Sequence, residues 1–212
     1  MGILYSARKD YNKFELSKSK VSENPFSQFS NWFTNAQQIE DFEAHAMTLA
    51  TASKNGFPSA RIVLLKDYNE NGFTFFTNYE SRKAEEILNN PNVALLFFWA
   101  PLEQQIRIEG TIEKITIEES KRYFRSRPRR SQIAAITSLQ SKPVVSREEL
   151  EAKFANLEAE YNNKQIPFPT NWGGYLVKPS TFEFWQGRSN RLHDRLKYSL
   201  KNNKWIIERL AP

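Results

Sequence analysis

The 212-residue sequence predicts a mainly β protein, an antiparallel barrel that is closed or nearly closed, with helices at its periphery. Three observations lead there. Short runs rich in β-branched and aromatic residues recur from Met47 to the C-terminal end, turn signals separate them, and only a few stretches keep a helical period. Alternating βαβ units are disfavoured, and no G-x-G-x-x-G fingerprint of a dinucleotide-binding turn occurs.

Residues 1–22 are polar and without sustained periodicity, so they are read as an arm that orders only on contact with another surface. Residues 23–212 are read as one domain, within the size a single core supports. Asn24 has the character of an N-cap and Pro25 of a first helical residue, and Phe26, Phe29, Phe33 and Ala36 share one face of a helix of about four turns. From Met47 the period becomes two. Met47–Ala52, Ser59–Lys66 and Phe73–Thr77 form a meander whose turns are marked by Asn55-Gly56 and Asn71-Gly72. Ser81–Leu88 is a short helix stopped by Asn89-Asn90-Pro91, after which Val93–Trp99 and Gln104–Ile117 return to strand. Thr116 with Glu119, and Ser146 with Glu149, make capping boxes for two further helices. The first of these ends by Pro128, and the second is expected to bury Leu150, Phe154, Leu157 and Tyr161 as core. Past Pro167 and Pro169 the strands Gly174–Val177, Phe182–Gln186, Leu192–Leu200 and Trp205–Leu210 complete the sheet.

Composition excludes several classes of chemistry. Cysteine is absent, which removes disulfides, thiolate metal sites and a cysteine nucleophile, and points to the cytoplasm. His45 and His193 are the only histidines, too few for an imidazole-built zinc site, so no metal is expected. No apolar run approaches the ~18–20 residues of a membrane span and no secretory signal is evident, so no membrane partner is expected. Thirty Lys and Arg against 24 Asp and Glu give a net charge of +6, which favours anionic partners. The cations lie in small groups far apart, which suits discrete phosphate pockets better than a nucleic-acid surface.

Four groups of residues can carry such chemistry. Ser81-Arg82-Lys83 opens a helix, where backbone N–H groups, a hydroxyl and two cations can converge on an anion, or simply form an ordinary solvated helix start. Arg61 and Lys66 bracket Ile62-Val63-Leu64-Leu65; a regular strand sends them to opposite faces, to serve different ligands or merely to flank a buried strand. Tyr123, Arg127 and Ser131 recur at intervals of four around Pro128 and can meet about one phosphate, with RNA binding by the Arg125–Arg130 cluster as the rival reading. Trp185-Gln186-Gly187 precedes Arg191-Leu192-His193-Asp194-Arg195. As a strand, this last segment puts Arg191, His193 and Arg195 on one face, costly to bury without an anion or an electron-rich partner.

These groups also carry a family resemblance. RIVLLK at Arg61–Lys66, TNYESRKA at Thr77–Ala84, YFRSRPRRSQI at Tyr123–Ile133, LQSKP at Leu139–Pro143, FWQG at Phe184–Gly187, RLHDR at Arg191–Arg195 and the terminal ERLAP resemble, in order and spacing, the FMN-dependent pyridoxine/pyridoxamine 5′-phosphate oxidases. The resemblance spans residues 25–212. It implies a Greek-key split β-barrel that binds FMN and works as a homodimer through a C-terminal dimerisation region, with active sites at the subunit interface. The implied activity is oxidation of pyridoxine 5′-phosphate or pyridoxamine 5′-phosphate by hydride transfer to FMN, with O2 reoxidising the flavin to give H2O2. The FMN residues it implies are Arg61, Ile62, Val63, Leu64, Leu65, Lys66, Phe76, Thr77, Arg82, Lys83, Gln105, Gln140, Ser141, Trp185 and Arg195, with Ser81 beside them at the helix start. Lys66, Tyr123, Arg127 and Ser131 fall to the substrate phosphate, and Arg191 and His193 to the reacting ring, where they position and polarise. Arg8 and Tyr11 resemble a pair that closes over the substrate. Phe76 departs from the family, which often has Tyr there; this removes a side-chain hydroxyl and leaves a backbone contact to flavin open. Another split-barrel flavoprotein without oxidase activity has no need for Tyr123, Arg127, Ser131, Arg191 and His193 together.

Overall fold

A computed structural model describes residues 10–212. Nine strands make one antiparallel sheet: β1 (Ala46–Ala52), β2 (Pro58–Leu64), β3 (Asp67–Asn69), β4 (Gly72–Asn78), β5 (Asn92–Trp99), β6 (Gln104–Lys114), β7 (Trp172–Gln186), β8 (Asp194–Lys201) and β9 (Lys204–Leu210). Five α-helices accompany them among the described residues: α1 (Pro25–Gln37), α2 (Arg82–Asn89), α3 (Ile117–Ser126), α4 (Arg129–Thr137) and α5 (Arg147–Glu160). The strand path is β2-β1-β5-β6-β7-β4-β3, with β8 and β9 branching from β7. The chain jumps from β4 near one end of this path to β5 in its middle, a Greek-key connection carried by α2.

The sheet curls into a half-barrel. Where its ends approach, the Lys66 N–H donates to the Thr74 carbonyl at 2.9 Å, but no ladder joins β2 to β4 among the described residues. The barrel is split along this seam. Inward-facing residues alternate along β1 and β5, and α1 closes the interior. Asn24 caps that helix through Oδ1, which accepts from the Phe26 N–H at 2.8 Å. Phe29, fully buried, places its ring 4.8 Å from Phe73, 4.9 Å from Tyr68 and 5.2 Å from Phe97, all edge-on, the preferred geometry for aromatic pairs. A smaller cluster of Phe124, Ile133, Ile166 and Trp172 packs α3 and α4 beside β7.

Several elements depart from expectation for local reasons. Strand β2 ends at Leu64 because Leu65 turns into the core, its N–H bonded to the His45 carbonyl, and the short β3 then forms the hairpin that Asn71-Gly72 closes onto β4. Strand β6 stops at Lys114, since Thr116 is the extended N-cap of α3 in a reciprocal box with Glu119. Helix α4 was not expected: Pro128 ends one helix, yet its fixed φ also suits the start of the next. Strand β7 runs unbroken for 15 residues, because Pro179 sits where the β6–β7 register shifts at Glu109/Gly110, a place that does not require its missing N–H. No residue of α5 is buried. Phe154, Leu157 and Tyr161 pack only partly against the smaller cluster, so the expected core face is a half-covered one. Strand β8 begins at Asp194 rather than Leu192. Among the described residues no helix is long and apolar enough to cross a membrane.

Candidate functional site

The seam between β2 and β4 opens into a cavity of about 700 Å³, within the usual range for small-molecule sites. Its lining comes from distant stretches of sequence: Arg61, Ile62, Val63 and Leu64 from β2, Lys66 beyond it, Phe76 and Thr77 from β4, Lys83 from α2, Tyr123 from α3, Arg127 and Pro128 between helices, Ser131 from α4, Gln140 after it, and Trp172 at the start of β7.

One wall is aromatic. Phe76 and Tyr123 stack with centroids 3.8 Å apart and Trp172 continues the stack 5.5 Å from Phe76. The approach depends on Gly174, opposite Phe76 in the β4–β7 ladder: a Cβ there would lie 2.4 Å from Ile115 and 2.9 Å from the Phe76 ring. The Arg127 guanidinium lies 4.7 Å over the Trp172 ring, and its NH1 is buried without a hydrogen-bond partner among the described residues. Desolvation lowers the Arg127 pKa, an effect the neighbouring Tyr123 opposes. A buried guanidinium with an unused donor is expensive unless an anion meets it.

The opposite corner is cationic. Lys83, itself buried, donates to Gln140 Oε1 at 2.7 Å, Thr77 Oγ1 at 3.2 Å and Ser81 Oγ at 3.3 Å, all neutral oxygens. Burial first, and then the Arg61 charge, lowers its pKa to about 8, while Glu86 pulls the other way. Two under-compensated cations, Arg127 and Lys83, therefore line one cavity. These residues fit a phosphorylated cofactor together with a phosphorylated substrate, since each phosphate would meet a charge that the protein leaves unneutralised.

Not every expected residue lies here. The Leu65 side chain is core, Ser81 is fully buried and donates to the Asn78 carbonyl, and Arg82 turns away to Glu86 with its side chain 66% exposed. Ser141, at φ 71°, is exposed beside Gln140.

A second group gathers at the other end of β7. Trp185 pairs with Gln105 on β6 and Arg195 on β8. Arg195 and Arg107 both bind the buried Glu183 carboxylate, at 2.8 and 2.7 Å. His193 sits 4.7 Å from the Trp185 ring and 6.0 Å from Tyr11. Its Nδ1 accepts from the Arg188 N–H at 3.1 Å, so a neutral ring carries its proton on Nε2 and presents a donor there. The expected single strand face of Arg191, His193 and Arg195 does not form. A 3-10 turn, Ser189–Arg191, precedes β8, and Asn190 and Arg191 take left-handed φ of 57° and 61°, sparsely populated for side-chain-bearing residues. Arg191 is exposed in that turn. Arg8 lies outside the described residues.

Sequence reasoning missed Trp172, Pro128 and Glu86. Only the Trp172-Gly173-Gly174 run held a signal, two glycines directly after an aromatic residue at the start of a strand.

Residues 36–161 match the family described as pyridoxamine 5′-phosphate oxidase, and residues 172–212 the pyridoxine 5′-phosphate oxidase C-terminal dimerisation region. The chain is 52% identical over 205 residues to the pyridoxine/pyridoxamine 5′-phosphate oxidase of Cyanothece sp., covering 97% of this chain and 96% of that one. It is 51% identical over 215 residues to the Salinibacter ruber protein of the same name, with 100% of both chains covered. Among solved structures, PhzG from Burkholderia lata in complex with tetrahydrophenazine-1-carboxylic acid has a TM-score of 0.88 at 28% identity, over 95% of this chain and 100% of that one. A pyridoxamine 5′-phosphate oxidase-related, FMN-binding protein from Nostoc punctiforme, 16% identical with a TM-score of 0.70 over 94% of this chain and 100% of its own, shares the split-barrel fold.

Proposed function

This chain belongs to the pyridoxamine 5′-phosphate oxidase family, and from that membership we propose that it oxidises pyridoxine 5′-phosphate or pyridoxamine 5′-phosphate to pyridoxal 5′-phosphate, using FMN and O2. The observation that carries the reading is the seam cavity, where cations from separate segments converge and the Arg127 NH1 is buried without a partner among the described residues.

Lys66, Tyr123, Arg127 and Ser131 hold the substrate phosphate; Arg61, Lys83, Thr77 and Gln140 hold the phosphate of FMN. Bound FMN would supply the two-electron redox chemistry of the reaction, with O2 as the terminal oxidant. The chain's own work is to bind, orient and exclude water. The apolar β2 run and Phe76 cover the flavin ring, and the aromatic wall shields the phosphate contact of Arg127.

On this reading the ring-directed residues come from a second copy. Trp172 and Trp185 lie near opposite ends of the 15-residue β7, a contour of about 40 Å at ~3.3 Å per residue, and the cavity lining includes none of Gln105, Trp185, Arg191, His193 and Arg195. A homodimer that sets the Trp185 end of one chain over the cavity of the other joins the two halves. The match of residues 172–212 to a dimerisation region supports this, as do Ile62 and Phe98, 63% and 51% exposed beside a shared groove of β1, β2 and β5. In the assembled site the His193 Nε2–H faces the oxygen or nitrogen on C4′, Arg191 adds charge, Arg195 and Trp185 hold flavin, and Tyr11 shields the His193 ring.

A visible spectrum tests the reading. The purified protein should be yellow with one FMN per chain, and either substrate added without oxygen should bleach it. A protein that neither carries nor takes up FMN, or a flavin that stays oxidised with both substrates, refutes the proposal.

A further inference from the structure

The cationic corner is built around a carboxylate. Glu86 on α2 is only 5% exposed. Its Oε2 accepts from Thr51 Oγ1 at 2.5 Å, Ser59 Oγ at 2.6 Å and the Arg61 NH2 at 3.1 Å, and its Oε1 accepts from the Arg82 Nε at 2.9 Å. The same hydroxyls accept from Arg61, whose NH1 reaches Thr51 Oγ1 and whose NH2 reaches Ser59 Oγ, both at 2.5 Å. Arg61 NH1 also donates to the Leu49 carbonyl at 3.1 Å. Each hydroxyl thus relays between guanidinium and carboxylate, and the Arg61 head is fixed from two sides while it lines the cavity.

Burial alone would raise the Glu86 pKa, but hydrogen bonds from Ser59, Thr51, Arg82 and Arg61 bring it down to about 2, so it stays ionised at any working pH. Arg61 and Lys83 line the cavity while Arg82 turns away from it, so against the one carboxylate the corner keeps a net positive charge, which favours a phosphate monoester, a dianion above its second pKa of about 6. The groups facing Lys83 are Arg61 from β2, Thr77 from β4, Gln140 after α4, and Ser81 and Glu86 at and on its own helix. Of these only Glu86 carries a negative charge.

We propose that Glu86 is a positioning residue: it orients the Arg61 guanidinium and keeps the Arg61–Lys83 corner charged for a phosphate dianion, so that the site selects phosphorylated flavin over its dephosphorylated form. This rests on the assignment of the FMN phosphate to that corner. Neutralising Glu86 does not simply make the corner more positive, because Lys83, already near its titration point, then releases its proton at lower pH and Arg61 loses its anchor.

The experiment titrates flavin-free protein with FMN and with riboflavin, which lacks the phosphate. Unaltered protein should bind FMN far more tightly; equal affinities would remove the underlying assignment and this proposal with it. In Glu86→Gln the FMN dissociation constant should rise about ten- to a hundredfold, the scale of a charge-assisted contact, while riboflavin affinity stays within about twofold. The fall of FMN affinity at alkaline pH should also begin at lower pH than in the unaltered protein. With Arg61 already replaced by Ala, Glu86→Gln should add little. Ser59→Ala keeps the Glu86 charge but cuts the relay, and gives a smaller loss specific to FMN even if Glu86→Gln does not fold. Equal losses for both flavins, or an unchanged FMN affinity in Glu86→Gln and Ser59→Ala, would overturn the proposal.

Discussion

Replacing Arg127 with Ala removes a guanidinium whose worth can be worked from its surroundings. In the free protein its NH1 is buried with no partner among the described residues, and it stacks on Trp172 at 4.7 Å. That cation–π contact is worth about 0.5–1 kcal/mol, and losing it is offset by relieving a desolvated charge. Thermal stability should therefore change little. With the substrate phosphate in place, the same group makes a hydrogen bond to a charged partner, worth about 1.5–3 kcal/mol, or roughly ten- to a hundredfold in kcat/KM. The phosphate lies away from the reacting carbon, so the loss should appear mainly as a higher KM with kcat largely kept. The assay is steady-state H2O2 release against substrate concentration, with flavin content measured on the same sample. Unphosphorylated pyridoxine provides the control, because Arg127→Ala should narrow the preference for the phosphorylated substrate. Unchanged kcat/KM, or loss of FMN with normal substrate handling, would refute the reasoning and move Arg127 to another phosphate.

Two further outcomes are expected. Lys83 titrates near 8 in the free protein, and a bound phosphate raises that value, so FMN affinity should be full between about pH 6, above which the phosphate is a dianion, and pH 8, and decline as pH rises through the bound-state pKa. The flavin-free fold has the opposite sign: the Lys83 pKa is depressed from 10.5 on folding, so this group's contribution to stability grows between pH 8 and 10.5. Fluorescence titration and thermal melts across that range read both, and matching trends would contradict the assignment. Arg191→Ala and His193→Ala should retain FMN but slow anaerobic flavin reduction or weaken substrate binding, whereas Arg195→Ala should weaken FMN; stopped-flow reduction with flavin saturation measured alongside separates them, and unchanged reduction in both of the first two would return that turn to the surface.

The sequence alone determined what depends on local rules. Asn24-Pro25, the Thr116–Glu119 box and the Asn-Gly pairs place their helices and turns because capping and turn geometry involve only neighbouring residues, and the period-two runs give the strands because a half-buried sheet imposes that alternation. The motifs carried the family resemblance for the same reason: the segments holding Lys66, Tyr123, Arg127 and Ser131 are recognisable as residue types at fixed spacings. Tertiary structure decided the rest. Pro128 was read as a helix end, and Gly174–Val177 and Phe182–Gln186 as separate strands, yet Pro128 begins α4 and Pro179 sits in a bulge of a continuous β7, since a proline's effect depends on whether its missing N–H had a partner to lose. The shared face of Arg191, His193 and Arg195 dissolved because a 3-10 turn, closed by the Leu192 N–H on the Ser189 carbonyl, holds the chain out of β8. Glu86 carried no sign in the sequence, and Trp172 only the two glycines that follow it. Their roles are set by what burial brings beside them from β1, β2, β4 and α3, contacts between residues far apart in the chain that no local pattern encodes.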